Sequence, residues 1–450
     1  EPKQFIKLVN EKSLLQDTVT RVKGLIKPKN IYFITNNIYF YELKEQIKGQ
    51  GIPDENILLE PEGKNTAPAI GLCARLIEKK DKDAVLVVLP SDHYIKNTNY
   101  FKDCLKKAIG LANDGLLVTL GIKPANPSTG YGYIKIDKRL KIKNKKYNAC
   151  MVEKFLEKPD LEKAKQYFRD KRFYWNSGMF IWKASVFMDE VQKYLPHLYA
   201  QLEAIHSKDD IRKVWRRIRP ISVDYGIMEH SKRIVLIPAS FYWTDLGSWE
   251  ALSEIFPKDA KENIFNADCL DIGSERIGVF SKGKRLISTL GLKDLIIADT
   301  ADALLVCDIN RTQDVKKMVE KLRSLKRKEH LVHLTEKRPW GSFTILQEGL
   351  GFKIKLIEIA PKKRLSLQRH KKRAEHWVVV SGQAKITIGG KVFTAHKNRS
   401  VYVPMGFKHR LENTTRTPAR IVEVQVGAYL GEDDIERFED DFKKECRTAI

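Results

Sequence analysis

The sequence predicts an α/β domain joined to an all-β domain, two fold classes in one chain of 450 residues. A chain of this length exceeds a single ordinary hydrophobic core. Strand-like and helix-like segments alternate over 1–261, whereas 331–450 shows period-two alternation of apolar and polar residues. The intervening 262–330 predicts a short β-rich connector that ends in a helix.

The N-terminal segment predicts a Rossmann-like domain, in which a mainly parallel sheet carries helices on both faces. Strands are predicted at "NIYFITN", "AVLVVLP" and "GLLVTLGI", and the helices between them at "APAIGLCARLIEKK" and "FKDCLKKAIGLA". Ligands bind outside the carboxyl ends of strands in such sheets. Functional residues are therefore expected directly after the strand segments.

Two aspartates occupy such positions. Asp92 follows the strand that Pro90 ends, and Asp245 follows the aromatic strand "FYWT" at 241–244. Mg²⁺ usually joins one or two carboxylates to the phosphates of a substrate. Either aspartate alone could equally be a turn residue, but the pair favours one shared Mg²⁺ ion.

Between the two aspartates lie "STGYGYI" (128–134), "FLEKP" (155–159) and "NSGMF" (176–180). In this order, these blocks resemble the nucleotide-sugar pyrophosphorylases, and most closely the mannose-1-phosphate guanylyltransferases. The resemblance extends to further blocks, which are "PKQF" (2–5), "EPEGKNTAPAI" (60–70), "LPSDH" (89–93) and "TDLGSW" (244–249). The first domain is thus similar to a nucleotidyltransferase domain.

The resemblance implies a reaction in which a phosphate oxygen of mannose 1-phosphate attacks the α-phosphorus of GTP, which releases pyrophosphate and leaves GDP-mannose. Catalysis of this kind is mostly positioning and charge neutralisation. By resemblance, the Mg²⁺ ligands are Asp92 and Asp245, the catalytic lysine is Lys158, the sugar contacts are Gly132, Glu157 and Asn176, and the nucleotide contacts are Asn65 and Thr66. Turn formation and capping remain the alternative for the Asn, Thr and Gly positions.

The chain departs from the family at its start. Family members carry a strand and a glycine-rich GxGTR-type loop ahead of "PKQF", and backbone N–H groups of such loops hold phosphates. This chain begins at Glu1 without them. The expectation is a truncated chain, a partial sequence, or a copy that has lost nucleotide transfer and keeps only its second activity.

The connector and the C-terminal segment are both predicted to be rich in strands. Short strands "RIGVF", "RLISTLGL", "DLIIADT" and "ALLVCD" precede a charged helical run, which together favour a structural linker. Beyond it, "FKIKLIEIA", "AKITIGGKVFTA" and "IVEVQVGAYL" alternate with period two, and Gly389–Gly390 predicts a tight hairpin. A barrel built from such strands can hold a site among inward-facing side chains.

Polar residues within this β segment have the spacing of metal ligands. Gln368 and His370 lie two apart on one predicted strand, and therefore on one face, while Glu375 follows a short basic turn. His409 follows a Pro-x-Gly turn, four residues before Asn413. Gln, His, Glu and His together suit a borderline divalent ion such as Zn²⁺, Mn²⁺, Co²⁺ or Ni²⁺. A buried structural histidine is the alternative for each position taken alone.

The spacing resembles the two metal motifs of the cupins, which implies a C-terminal cupin (jelly-roll) barrel. The second motif matches fully, whereas the first has Gln368 where many cupins have histidine. With "RPWGSF" (338–343) and "LSLQRHKKRAEHW" (365–377), the segment resembles the isomerase half of bifunctional guanylyltransferase/phosphomannose isomerases. This implies metal-dependent interconversion of mannose 6-phosphate and fructose 6-phosphate. Arg373 and the Lys371–Lys372 pair are candidates to bind the 6-phosphate.

The charge of the chain predicts phosphate-bearing partners. A formal net charge of +24 attracts nucleotides, sugar phosphates or nucleic acid. A basic nucleic-acid or polysaccharide-binding protein is therefore the alternative to an enzyme, but no known nucleic-acid motif surrounds the basic clusters. We expect a cytoplasmic enzyme that uses neither nucleic acid nor a membrane, and that can form a homo-oligomer.

Overall fold

A computed structural model describes residues 2–141, 148–247, 249–281, 283–327 and 334–441. The chain forms two compact units, one over Glu1–Phe256 and the other over Pro257–Thr448. The described helices of the first unit are α1 (Leu14–Val22), α2 (Phe40–Ile47), α3 (Thr66–Glu78), α4 (Thr98–Asn113), α5 (Leu161–Arg169), α6 (Ala184–Tyr194), α7 (Pro196–Glu203), α8 (Lys208–Trp215) and α9 (Trp249–Ser253). Its strands are β1 (Phe33–Asn36), β2 (Ile57–Glu60), β3 (Val85–Val88), β4 (Tyr94–Ile95), β5 (Leu117–Ile122), β6 (Tyr133–Lys141), β7 (Cys150–Leu156), β8 (Phe173–Lys183), β9 (Ile234–Ala239) and β10 (Trp243–Thr244).

The central sheet of the first unit has six strands in the order β3-β8-β5-β9-β7-β6. The α/β class is confirmed, but the prediction of a mainly parallel sheet is wrong here. Within the described part of this sheet, the β5–β9 pairing is parallel and the other pairings are antiparallel. The cause is two reversed strands: β8 runs antiparallel to β3 and β5, and β7 runs antiparallel to β9 and β6.

Both faces of this sheet are covered, as the sequence predicts for an α/β domain. Neighbouring residues of β5 pack into different clusters, since Leu117 lies with Trp182 and Phe187, whereas Val118 lies with Phe101. Alternate side chains of a strand point to opposite faces. The sheet is therefore buried on both sides, and its strand ends and connecting loops carry the candidate site.

The second unit begins with the β-rich connector. Its strands are β11 (Ile264–Asn266), β12 (Cys269–Ile272), β13 (Gly278–Ser281), β14 (Ile287–Leu290), β15 (Leu295–Asp299) and β16 (Leu304–Asp308), and helix α10 (Val315–Ser324) follows. The pairings β11–β13, β13–β15 and β12–β14 are parallel, and β15–β16 is antiparallel. The run predicted as a helix extends to residue 330, whereas α10 ends at Ser324, and residues 328–330 lie outside the described residues.

The rest of the second unit consists of two antiparallel sheets, as the all-β prediction requires. The orders are β17-β18-β19-β26-β21-β24 and β23-β22-β25-β20-β27. The strands are β17 (Thr335–Arg338), β18 (Gly341–Gly349), β19 (Phe352–Ile359), β20 (Leu367–His370), β21 (Arg373–Ser381), β22 (Gln383–Ile388), β23 (Lys391–His396), β24 (Ser400–Val403), β25 (His409–Glu412), β26 (Ala419–Gly427) and β27 (Ile435–Glu439). The predicted hairpin is confirmed, since Gly389 and Gly390 join β22 to β23 with φ of +54° and +90°.

Replacing Gly341 by alanine is expected to destabilise the second unit strongly. Gly341 has φ of +144°, and an added Cβ would lie 1.9 Å from the carbonyl oxygen of Glu358. We expect a loss of about 3 kcal/mol or more, measured as a lower unfolding temperature by calorimetry. Gly351→Ala is the control because it shares a positive φ of +76° without the clash, so about 1 kcal/mol is expected. Equal losses in both variants would contradict the steric argument.

Candidate functional site

Two strand ends bring Asp92 and Asp245 together in the first unit. Strand β4 begins two residues after Asp92, and β10 ends immediately before Asp245. These strands pair antiparallel, with Thr244 opposite Tyr94. The two carboxylates predicted from separate strand ends therefore lie at one edge.

Lys3 contacts both aspartates. Its ammonium donates to Asp92 Oδ2 at 3.1 Å and also to the backbone carbonyl of Asp245. Asp245 Oδ1 accepts from the Tyr131 hydroxyl at 3.1 Å and from the backbone N–H of Gly247 at 2.8 Å. Both carboxylates are only partly buried, so water can complete the coordination of a hard cation. This donor set fits Mg²⁺, which keeps several waters when bound.

Gly132, Glu157 and Asn176 form a second cluster beside the aspartates. A Cβ added to Gly132 would lie 2.5 Å from Glu157 Oε2 and 3.5 Å from Asn176 Cβ, so glycine permits this close approach. The backbone N–H of Asn176 donates to the Gly132 carbonyl at 2.8 Å. Because Tyr131 contacts Asp245 and directly precedes Gly132, the two clusters adjoin.

Asp224 completes this second cluster, and sequence reasoning missed it. Its Oδ1 accepts from Asn176 Nδ2 at 2.7 Å. It opens a π-helical turn, Asp224–Met228, a rare geometry that is frequent at functional sites. Burial raises the pKa of Asp224 despite the hydrogen bond from Asn176, and burial together with the charge of Asp224 raises the pKa of Glu157. Two carboxyl groups, each able to accept hydrogen bonds, therefore lie close enough for their charges to interact.

Lys158 lies at the edge of this cluster. Its ammonium is 3.8 Å from Glu157 Oε1, and its side chain is 64% exposed. Its φ is +40°, which non-glycine residues rarely adopt. Lys158 is thus an exposed cation next to the second cluster, and its catalytic role stays a prediction.

Asn65 and Thr66 have capping roles in the structure, the alternative that the sequence left open. The Asn65 side chain accepts from the backbone N–H of Thr66 at 2.8 Å and caps α3. Thr66 Oγ1 accepts from the backbone N–H of Val223 at 2.8 Å, and so fixes the chain next to Asp224. Their contact with a nucleotide stays a prediction.

In the second unit, His370, Glu375 and His409 converge in the interior. Their candidate ligand atoms lie within 4.8 Å of one another, and each residue is at most 2% exposed. His370 Nε2 lies 3.0 Å from Glu375 Oε1, and His409 Nε2 lies 3.6 Å from Glu375 Oε2. Strands β20, β21 and β25 thus supply one ligand each, two histidines and a glutamate, from three parts of the sequence.

This cluster fits a divalent transition metal. His409 Nδ1 lies 2.9 Å from the Phe407 carbonyl, and a neutral ring that donates there leaves Nε2 free for a metal. Among the described residues, Nε2 of His409 makes no hydrogen bond, and Nε2 of His370 contacts Glu375 Oε1 without the geometry of a hydrogen bond. Burial lowers the pKa of His409, which favours the neutral ring. Burial alone would raise the pKa of Glu375, but the contact with His370 and the nearby positive charges lower it, which favours the carboxylate.

Gln368 is placed where a fourth ligand is predicted. It lies directly opposite His409 in the β20–β25 pairing and two residues before His370, on the same face of the strand. Its amide oxygen accepts from the Ser366 hydroxyl at 3.2 Å. The backbone position supports metal binding by Gln368, which stays a prediction.

Polar residues of β26 also face this interior, and sequence reasoning did not single them out. Gln425 Nε2 donates to Glu375 Oε1 at 3.2 Å and to Glu423 Oε2 at 2.9 Å. Trp377 Nε1 lies 3.1 Å from Glu375 Oε2 and 3.2 Å from Glu423 Oε1. Burial, followed by the charge of Glu375, raises the pKa of Glu423 to about 8. These contacts hold the carboxylate of Glu375 in place beside the histidines.

Comparison with known proteins decides the family. Residues 1–262 match a family model described as nucleotidyl transferase, residues 272–322 one described as mannose-phosphate isomerase/GMP-like β-helix domain, and residues 325–440 one described as mannose-6-phosphate isomerase C-terminal. A mannose-1-phosphate guanylyltransferase of Salmonella montevideo is 40% identical over 450 residues, which cover 98% of this chain and 94% of that protein. The chain belongs to the mannose-1-phosphate guanylyltransferase family.

Other relatives agree with this family membership. The alginate biosynthesis protein AlgA of Pseudomonas aeruginosa is 36% identical over 459 residues, which cover 100% of this chain and 94% of that protein. A crystal structure from Thermus thermophilus, titled mannose-1-phosphate geranyltransferase, has a TM-score of 0.63 and 28% identity, covering 72% of this chain and 92% of that one.

These findings confirm several predictions from the sequence. The nucleotidyltransferase and isomerase-type domains, the enzyme class and the resemblance to bifunctional guanylyltransferases are confirmed. No described helix of this family member is long and apolar enough to cross a membrane. The individual site residues remain predictions.

Proposed function

We propose that this guanylyltransferase family member catalyses two reactions. Its first unit makes GDP-mannose and pyrophosphate from GTP and mannose 1-phosphate, and its second unit interconverts mannose 6-phosphate and fructose 6-phosphate. The observation that carries the proposal is the convergence of two separate ligand sets, Asp92 with Asp245 and His370 with Glu375 and His409. Substrates and products of both reactions are small molecules that carry phosphate groups, which fits the cytoplasmic location predicted from the sequence and the strongly positive charge.

In the first reaction, the residues of the chain position phosphates and neutralise charge. Asp92 and Asp245 would hold Mg²⁺, which neutralises charge on the nucleotide phosphates when bound. Lys3 keeps the two aspartates oriented, since it contacts both. Lys158, exposed beside the sugar cluster, balances the charge that develops on the transferring phosphoryl group. Asn65 and Thr66 lie at the start of α3, where the nucleotide is predicted.

The sugar of mannose 1-phosphate would lie against Gly132, Glu157 and Asn176. The absence of a side chain at Gly132 lets the backbone approach the sugar, while Glu157 and Asn176 supply hydrogen-bonding groups. Asp224 belongs to this set because it binds Asn176 directly and keeps its amide oriented. Holding the sugar in this way aligns its phosphate for in-line attack on GTP.

Asp224→Asn is expected to raise the KM for mannose 1-phosphate about tenfold while the KM for GTP changes less than twofold. The exchange removes the charge that orients Asn176 and leaves the predicted nucleotide positions untouched. Steady-state kinetics with each substrate varied in turn would measure this. Asp160→Asn is the control, since it changes an exposed helix cap that asparagine can replace. An equal rise in both KM values would contradict a sugar-site role for Asp224.

In the second reaction, Gln368, His370, Glu375 and His409 would hold a divalent transition metal. The metal, when bound, polarises the carbonyl or hydroxyl oxygen of the sugar as a proton moves between C1 and C2. The chain supplies the rigid ligand frame, because Trp377 and Gln425 fix Glu375 and the Phe407 carbonyl fixes His409. Arg373, which is buried beside Glu375, would bind the phosphate of the substrate.

Phosphorus NMR on the whole chain tests both halves of the proposal together. The mixture contains Mg²⁺, a second divalent metal, GTP, mannose 1-phosphate and fructose 6-phosphate. The products of the two reactions give separate phosphorus signals. We expect GDP-mannose, pyrophosphate and mannose 6-phosphate. Mannose 6-phosphate without GDP-mannose would limit the activity to the isomerase, and the absence of all three would overturn the proposal.

A further inference from the structure

The inner wall of the cupin barrel carries a buried cation, Lys355, to which the proposed isomerase reaction assigns no role. Lys355 of β19 lies opposite Glu423 of β26, which lies opposite Trp377 of β21. In the next row of inward-facing residues, Gln425 lies opposite Glu375. Lys355 is thus one row away from the metal cluster, and its side chain is only 7% exposed. A buried ammonium requires an anionic partner.

Lys355 and Arg373 converge on one short segment. The ammonium of Lys355 donates to Glu432 Oε1 at 2.9 Å, and Arg373 Nη1 donates to the carbonyl of the preceding residue, Gly431, at 2.9 Å. Arg373 Nε is buried, lies 3.6 Å from Glu375 Oε1 and has no hydrogen-bond partner in the described chain. Two buried cations, one with an unused donor, therefore meet beside the metal cluster.

The segment that carries Glu432 is held against the metal-binding strand. Strand β27 pairs with β20, which bears Gln368 and His370. The carboxylate of Asp434 accepts from the backbone N–H of Lys371 and of Lys372 at 3.3 and 3.1 Å. Glu432 has a side chain that is 50% exposed, unlike Lys355. Its carboxylate therefore stands between the buried ammonium and solvent.

We propose that Lys355 and Arg373 form the subsite for the phosphate group of the hexose 6-phosphate, and that the Glu432 carboxylate occupies this subsite until the phosphate displaces it. The inference rests on the proposed isomerase function and deepens it. The backbone N–H groups of Lys371 and Lys372 bind Asp434 and so position the acidic segment. The proposal adds the ammonium of Lys355 to the cations that bind the phosphate.

The exchange is favourable on simple charge grounds. A phosphate ester carries nearly two negative charges and three strong acceptor oxygens, whereas a carboxylate carries one charge and two oxygens. The phosphate can therefore bind both cations at once, including the unused donor of Arg373. Glu432 loses little when displaced, because its half-exposed side chain can turn into water.

The test uses Glu432→Gln and Lys355→Met in the whole chain, with a divalent metal added. The readouts are the KM for mannose 6-phosphate and the inhibition constant of inorganic phosphate. We expect Glu432→Gln to lower both several-fold and Lys355→Met to raise both about tenfold or more, with smaller changes in kcat. Glu358→Gln is the matched control, because it removes a carboxylate of an ion pair with Arg420 whose side chains are 39% and 54% exposed.

Two outcomes overturn the proposal. One is an unchanged or raised KM and inhibition constant in Glu432→Gln, since Glu432 would then only support the fold. The other is a folded Lys355→Met variant with wild-type constants. If Lys355→Met does not fold, Glu432→Gln alone decides. If the wild-type chain turns over no mannose 6-phosphate, the proposed isomerase function fails, and calorimetric binding of mannose 6-phosphate to wild type and Glu432→Gln still tests the subsite.

Discussion

Glu375→Gln is expected to lower kcat/KM for isomerisation by about 10³-fold and to leave GDP-mannose synthesis unchanged. Glu375 contributes the only carboxylate to the described cluster with His370 and His409. Glutamine keeps the shape of the side chain but removes its charge, which a divalent ion needs in a buried site. The expected loss is therefore mainly one of metal affinity.

Metal content measured by mass spectrometry after dialysis against a fixed metal concentration would check this directly, alongside both activities. Glu412→Gln is the control, because Glu412 lies on β25 near His409 but pairs with Lys385 through a 24% exposed side chain. We expect this control to keep its metal and both rates. A Glu375→Gln chain that retained metal and isomerised at the wild-type rate would remove Glu375 from the ligand set.

The sequence allows much of the first unit to be predicted, but not the neighbours of each strand. Strands β1, β3 and β5 and helices α3 and α4 lie where their apolar periodicity predicts them. The position of β8 between β3 and β5 is not a local property, because it depends on a strand that follows much later in the chain. Local patterns fix the type of an element and leave its pairing open.

Strand β26 shows a deeper limit of pattern reading. Period-two alternation in "IVEVQV" predicts that the valines face the core and that the polar residues face water. The structure reverses this, since Glu423 and Gln425 are buried while Val426 is 46% exposed. Ile421 is buried on the same face of β26 as Glu423 and Gln425, and Gln425 pairs with Glu375 of β21. A barrel that keeps a polar site inside violates ordinary patterning at that site.

The candidate site residues were predictable where an aspartate or a histidine lies at or next to the end of a strand. Asp92, Asp245, His370 and His409 carry such signals in the sequence itself. Lys3 lies within the block "PKQF", but nothing local shows that its ammonium reaches two distant aspartates. Asp224 does not follow a predicted strand, and its contact with Asn176 arises only from folding.

Asp245→Asn is expected to reduce kcat for GDP-mannose synthesis by about 10²- to 10³-fold and to leave isomerisation unchanged. Asparagine can still accept from Tyr131 and from the backbone of Gly247, so the loop should keep its shape. What it loses is the negative charge that would hold Mg²⁺ together with Asp92. The rate of pyrophosphate release over a range of Mg²⁺ concentrations would measure the loss, and more Mg²⁺ should be needed for half-maximal rate.

A control variant separates the loss of negative charge from a general effect of an Asp-to-Asn substitution on the fold. Asp83→Asn is its control, since Asp83 is an 86% exposed aspartate paired with Lys183 at the surface. Lys3 binds the backbone carbonyl of Asp245, so this contact survives the substitution. In the variant, the ammonium of Lys3 then faces a single carboxylate, that of Asp92. An edge with a net charge of about zero binds a divalent cation much more weakly, which is why the expected loss is large. An Asp245→Asn chain with wild-type Mg²⁺ dependence would place the metal elsewhere, whatever its rate.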